Sequence, residues 1–87
     1  MAKYTFEELE DYRDSLPLEL LEAGYTIPKK YIEKLSGDVL LHLLGWYRDF
    51  MGSATIYTAK AERAVVTNYE RLKTEFDFRY PKYKEEN

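Results

Sequence analysis

The sequence predicts an all-α domain: three short N-terminal helices packed on one long C-terminal helix, with self-association through that long helix. Three observations carry this. No segment alternates apolar and polar residues with a period of two, so no strand is expected. Proline and glycine cut the first 37 residues into short helical lengths. From Asp38 onward no proline occurs until Pro81, and an apolar stripe runs through the whole stretch at helical spacing.

The first helix, residues 5–15, opens on a capping box. Thr5 is followed three positions later by Glu8, so each can satisfy a backbone N–H of the other's residue. Tyr4 and Leu9 stand where a hydrophobic staple would pair them. Phe6, Leu9, Tyr12 and Leu16 supply the apolar side, and Pro17 ends the run because it lacks an N–H and crowds the preceding turn. The second helix, 17–23, has proline in its first turn and Gly24 as its stop. The third, 27–36, has Thr26 as its expected cap, Tyr31, Ile32 and Leu35 on one side, and Gly37 at its end.

The long helix is expected over 38–79. Leu43, Tyr47, Phe50, Ala54, Tyr57, Ala61, Val65, Tyr69, Leu72, Phe76 and Tyr80 follow one another in steps of three or four, in phase across Gly52-Ser53. Gly52 within a helix costs only about 1 kcal/mol relative to alanine, and no Pro-Gly or Asn-Gly pair offers a tight turn. A helix of that length is a rod of about 60 Å. Three short helices cannot cover it, so part of the stripe should meet another copy, with small residues around Gly52 and Ala54 allowing close approach. A chain that turns at Gly52-Ser53 is the alternative. A polar tail, 81–87, completes the single domain.

Composition narrows the function. With 87 residues the chain is one domain whose core is marginal by itself. It has no cysteine, hence no disulfide framework and no thiolate metal site. No stretch approaches the ~18 apolar residues of a membrane span. The N-terminal "MAKYTFEELEDY" lacks the apolar centre of a signal peptide, so the protein reads as soluble and cytoplasmic. Net charge is −3, unevenly spread: residues 1–24 carry seven acids and two bases, residues 25–87 nine acids and eleven bases. The acidic head would attract a basic partner or the chain's own basic body.

No catalytic, metal or cofactor site is expected. His42 is the sole histidine and lies in the apolar run Leu40–Leu44, as a core or boundary histidine with its hydrogen bonding met would. One histidine with scattered carboxylates cannot complete a zinc site. No glycine-rich phosphate loop is present, and Ser15, Ser36 and Ser53 have no neighbouring base. Binding is the more natural activity. Nine tyrosines, four phenylalanines and one tryptophan supply aromatic anchors. The expected protein interface is Trp46, Tyr47, Phe50, Ala54, Tyr57, Ala61 and Val65, centred on the patch Trp46-Tyr47-Phe50 beside Arg48. The alternative partner is single-stranded nucleic acid, held by Lys29, Lys30, Arg71, Lys73 and Arg79 with neighbouring aromatics. Acidic residues cancel much of that charge, and a phosphate track would be net basic.

The stretch "LLGWYRDFMGSATIYTAKAERAVVTNYERLKTEF" resembles the short all-helical accessory proteins of tailed bacteriophages. Those share a Leu-Leu-x-Trp-Tyr opening and a long helix containing alanine, tyrosine and Glu-Arg pairs. The resemblance spans residues 38–76 and carries no functional residue over. It implies a small viral protein acting in the host cytoplasm by binding, in recombination, replication, assembly or counter-defence.

Overall fold

A computed structural model of the chain describes residues 4–52 and 58–81. It contains five helices: α1 (Phe6–Glu10), α2 (Leu16–Ala23), α3 (Lys29–Lys34), α4 (Gly37–Met51) and α5 (Ala59–Arg79). The all-α class stands, and among the described residues there is no strand.

The capping box forms as written: the Thr5 hydroxyl accepts from the Glu8 N–H at 3.1 Å and the Glu8 carboxylate accepts from the Thr5 N–H at 2.9 Å. The first helix nevertheless ends at Glu10, with Asp11 at its C-cap, rather than reaching residue 15. Pro17 lies in the first turn of α2, and Gly24 ends that helix in the left-handed region at φ 62°. The N–H groups of Gly24 and Tyr25 return to the carbonyls of Leu21 and Leu20, both at 3.1 Å, closing the last turn.

The third helix is shorter than expected at both ends. Ile27 is fully buried, and its N–H and C=O are both taken by side chains of α5, so it cannot join a helix. Pro28, not Thr26, takes the cap position, without a side-chain hydrogen bond. Leu35 is extended, which frees Ser36 to cap α4 by accepting from the Val39 N–H.

The expected single helix over 38–79 is two helices. Helix α4 stops at Met51 with Gly52 as its C-cap, and α5 starts afresh from Thr58, whose hydroxyl accepts from the Ala61 N–H at 3.1 Å. Ser53, Ala54 and Tyr57 lie outside the described residues. The two helices run antiparallel: Tyr47 bonds to Asn68 midway, and Gly37 meets the Tyr80 hydroxyl at the far end. The longest dimension is 36 Å, too short for the 60 Å rod. In-phase spacing across 52–58 did not require one helix. Each helix has its own apolar stripe, and in a hairpin the two stripes face one another whatever the spacing between them.

The core lies where α2, α3 and α4 converge on α5. Leu9, Leu16, Leu20, Ile27, Leu40, Leu43 and Leu72 are completely buried there. Helix α5, with 21 residues about 30 Å long, is the spine to which α2, α3 and α4 attach.

Candidate functional site

The residues expected at an interface divide sharply. Tyr47, Ala61 and Val65 are 1%, 5% and 4% exposed, and Phe50 is buried with them. All four belong to one buried core between the packed helices, so the stripe meant for a second chain is covered by the chain itself. Ala54 and Tyr57 lie outside the described residues. Trp46 alone stays at the surface, 37% exposed, with its ring tilted against Phe50 at a centroid distance of 5.8 Å.

Tyr47 belongs to a buried polar hub that sequence reading missed. Its centre is Asn68, fully buried on the α4-facing side of α5. The Asn68 amide nitrogen donates to the Tyr25 carbonyl at 2.8 Å and to the Tyr47 hydroxyl at 3.1 Å. Its amide oxygen accepts from the Ile27 N–H at 2.8 Å. One side chain thereby ties α5 to α4 and to the α2–α3 connection. Burial pushes the Tyr47 phenol well above its ordinary range, partly opposed by the hydrogen bond from Asn68. Among the described residues no buried side-chain polar atom lacks a partner.

Of the five cations expected to hold nucleic acid, Lys29 and Arg71 line one groove between α3 and α5, and Lys73 lies apart from them. Arg71 is half-buried and donates to the Ile27 carbonyl at 2.8 Å. Arg79 donates to the carbonyls of Ile32 (3.2 Å) and Glu33 (3.1 Å), capping α3, and pairs with Glu75 at 2.7 Å. Both arginines are therefore part of the fold. Lys73 pairs with Asp77 at 3.2 Å beside the groove between α4 and α5, whereas Lys29 borders the opposite groove between α3 and α5. Lys30 sits over the Tyr31 ring at 5.8 Å.

The acidic head is largely solvated. Glu19 pairs with Arg13 and accepts from the Ser15 hydroxyl at 2.8 Å, and the Arg13 hydrogen bond holds its carboxyl below the usual range. Glu10 reaches across to the Ser36 N–H at 3.0 Å, tying α1 to the start of α4. His42 is exposed, at the boundary rather than in the core. It lies against the Tyr12 ring at 5.0 Å, with Nδ1 at 2.7 Å from the Asp38 carbonyl.

Among the described residues the exposed large apolar side chains are Leu18 on α2, Phe78 on α5 and three on α4, the helix that carries most of them. Leu41 is 47% exposed and Met51 46%, with Trp46 between them. Leu41, Leu44 and Gly45 line a shallow depression with Tyr69 and Lys73 of α5. Among the described residues no group of three or more His, Asp or Glu could hold a metal ion, and no helix is long and apolar enough to cross a membrane. No family model matches the chain, and no curated protein or solved structure is significantly similar to it.

Proposed function

We propose that this chain is a non-catalytic interaction protein that binds and modulates another protein, with Trp46 as the anchor. The observation that supports this is the position of the lone tryptophan. It stands on the surface of a well-packed helix, held at one edge by Phe50 and beside exposed Asp49. Tryptophan contributes disproportionately to binding where it enters a partner's pocket, and a ring already braced by a neighbour loses little freedom on docking. The acidic residues of α1 and α2 favour a basic partner and faster encounter at low salt. The resemblance to short helical phage proteins suits a binding role in the host cytoplasm.

The nucleic-acid alternative is weaker, since Arg71 and Arg79 are engaged by the chain's own backbone. Self-association through the 38–79 stripe also loses its motive, because α4 and α5 cover that stripe mutually.

The test is affinity capture with the wild type and a Trp46→Ala variant, both checked for helicity and melting temperature. A protein retained by the wild type and lost with Trp46→Ala is expected, and its titration should shift the Trp46 fluorescence. Identical retention by both proteins would remove Trp46 as the anchor and the proposal with it.

A further inference from the structure

Gly45 has no explanation within the chain. It sits in the middle of α4, where glycine costs about 1 kcal/mol relative to alanine. Its φ is not positive, since Gly24 is the one positive-φ glycine among the described residues. A Cβ built on Gly45 would meet nothing within 4 Å, so no neighbour requires its absence. The residues around it on the outer side are Leu41, Leu44 and Arg48. With Gly45 they occupy positions i, i+3, i+4 and i+7, the spacing of a stripe that meets another helix.

That stripe is symmetric about the point between Leu44 and Gly45. In an antiparallel pair of α4 helices, Leu41 of one copy lies level with Arg48 of the other, and Leu44 level with Gly45. The two Gly45 residues meet beside the two-fold axis and let the backbones approach closely, while the two Leu44 side chains pack together on the other flank. The Arg48 stem covers Leu41 of the other copy, and its guanidinium reaches the first turn of that helix, where Asp38 stands. Asp38 and Arg48 are both exposed, and neither has an ion-pair partner among the described residues. The charges are therefore complementary under a two-fold operation, which brings each arginine to the acidic end of the other helix.

We infer that the outer face of α4, along Leu41, Leu44, Gly45 and Arg48, is the interface for a second copy of this chain in a two-fold antiparallel dimer. This surface differs from the covered 38–79 stripe; Trp46 borders it, beside Leu41, Gly45 and Arg48, but takes no part in the pairing of Leu41, Leu44, Gly45 and Arg48.

The experiment is molar mass by light scattering on a sizing column, over a wide range of protein concentration. The wild type should rise with concentration from 10.4 kDa toward twice that value. Gly45→Leu should stay monomeric over the same range while melting no lower than the wild type, because a Cβ at this position meets nothing within 4 Å and leucine favours a helix interior over glycine. Asp38→Arg should raise the dimer dissociation constant about ten-fold, and adding Arg48→Asp should restore it. A wild type that stays at 10.4 kDa throughout, or a Gly45→Leu variant that still dimerises, overturns the inference. A dimer broken by Gly45→Leu but not restored by the charge swap overturns the antiparallel pairing. Trp46→Ala, at the border of the surface, should leave the mass unchanged; loss of the dimer there would overturn the pairing along Leu41, Leu44, Gly45 and Arg48.

Discussion

Replacing Asn68 by alanine should destabilise the protein more than any other single polar substitution described here. Truncation strands two buried groups, the Ile27 N–H and one side of the Tyr47 hydroxyl, together with the part-buried Tyr25 carbonyl. Each group left unpaired costs about 1–3 kcal/mol, and partial relaxation or an entering water offsets some of it, so a total of about 3–5 kcal/mol is expected. A domain of 87 residues has about 4–13 kcal/mol of stability in all, so the variant should be marginal at room temperature. Urea unfolding followed by circular dichroism gives the loss directly. Asn68→Leu should not rescue it, because filling the volume leaves the same groups unpaired. A double-mutant cycle with Tyr47→Phe should show coupling of about 0.5–3 kcal/mol, since the two side chains share one hydrogen bond. A loss under about 1 kcal/mol for Asn68→Ala, or strict additivity with Tyr47→Phe, would refute the hub as the tie between α5, α4 and the α2–α3 connection.

Three further outcomes are expected. Gly24→Ala must hold a side chain at φ 62° and push against the Lys60 stem, whose Cγ would lie 3.0 Å from the new Cβ; a loss of about 1–2 kcal/mol and a melting temperature lower by at least about 4 °C should follow. Arg79→Lys should lose about 1 kcal/mol in urea unfolding, because an ammonium cannot serve the Ile32 and Glu33 carbonyls and Glu75 as the guanidinium fork does. The protein should lose stability as pH rises above about 10, where the unfolded chain releases the Tyr47 proton and the folded chain retains it. Stability from this group is complete below the unfolded value and falls as pH climbs toward the folded one, so Tyr47→Phe should flatten the alkaline limb of a stability-versus-pH curve.

What was legible in the sequence was local. The Thr5–Glu8 box and the Gly24 stop depend on groups within a few residues of each other, and both form as read. The break after Gly52 was legible in the sequence only as the alternative to one long helix, because what favours it is the burial of Tyr47, Ala61 and Val65 in one core. That burial leaves no trace in the spacing along one chain. The signal for Asn68 was present but went unread. It stands three residues after Val65 and four before Leu72, so it shares their buried face, and an amide on an apolar face needs partners. The arginines misled for the opposite reason. Composition offers Arg71 and Arg79 as free cations, and only the fold brings the carbonyls of Ile27, Ile32 and Glu33 to them.

The contrast between α4 and α5 bears on function more than either helix does alone. Along α5 the outward positions are Glu62, Arg63, Glu70, Lys73 and Thr74, with Phe78 near its end as the apolar exception. The sequence is thus able to give a core helix a polar outer side. On α4 it places Leu41, Trp46 and Met51 outward instead and sets an unforced glycine among them. Folding does not require any of these four, since the core of α4 is completed by Val39, Leu40, Leu43, Tyr47 and Phe50 on its other side. Apolar groups that contribute little to the core and are exposed on one rigid element gain free energy only when something covers them. On this argument α4 has two tasks on one helix. Its inner side pairs with α5 to make the domain, and its outer side is kept for association.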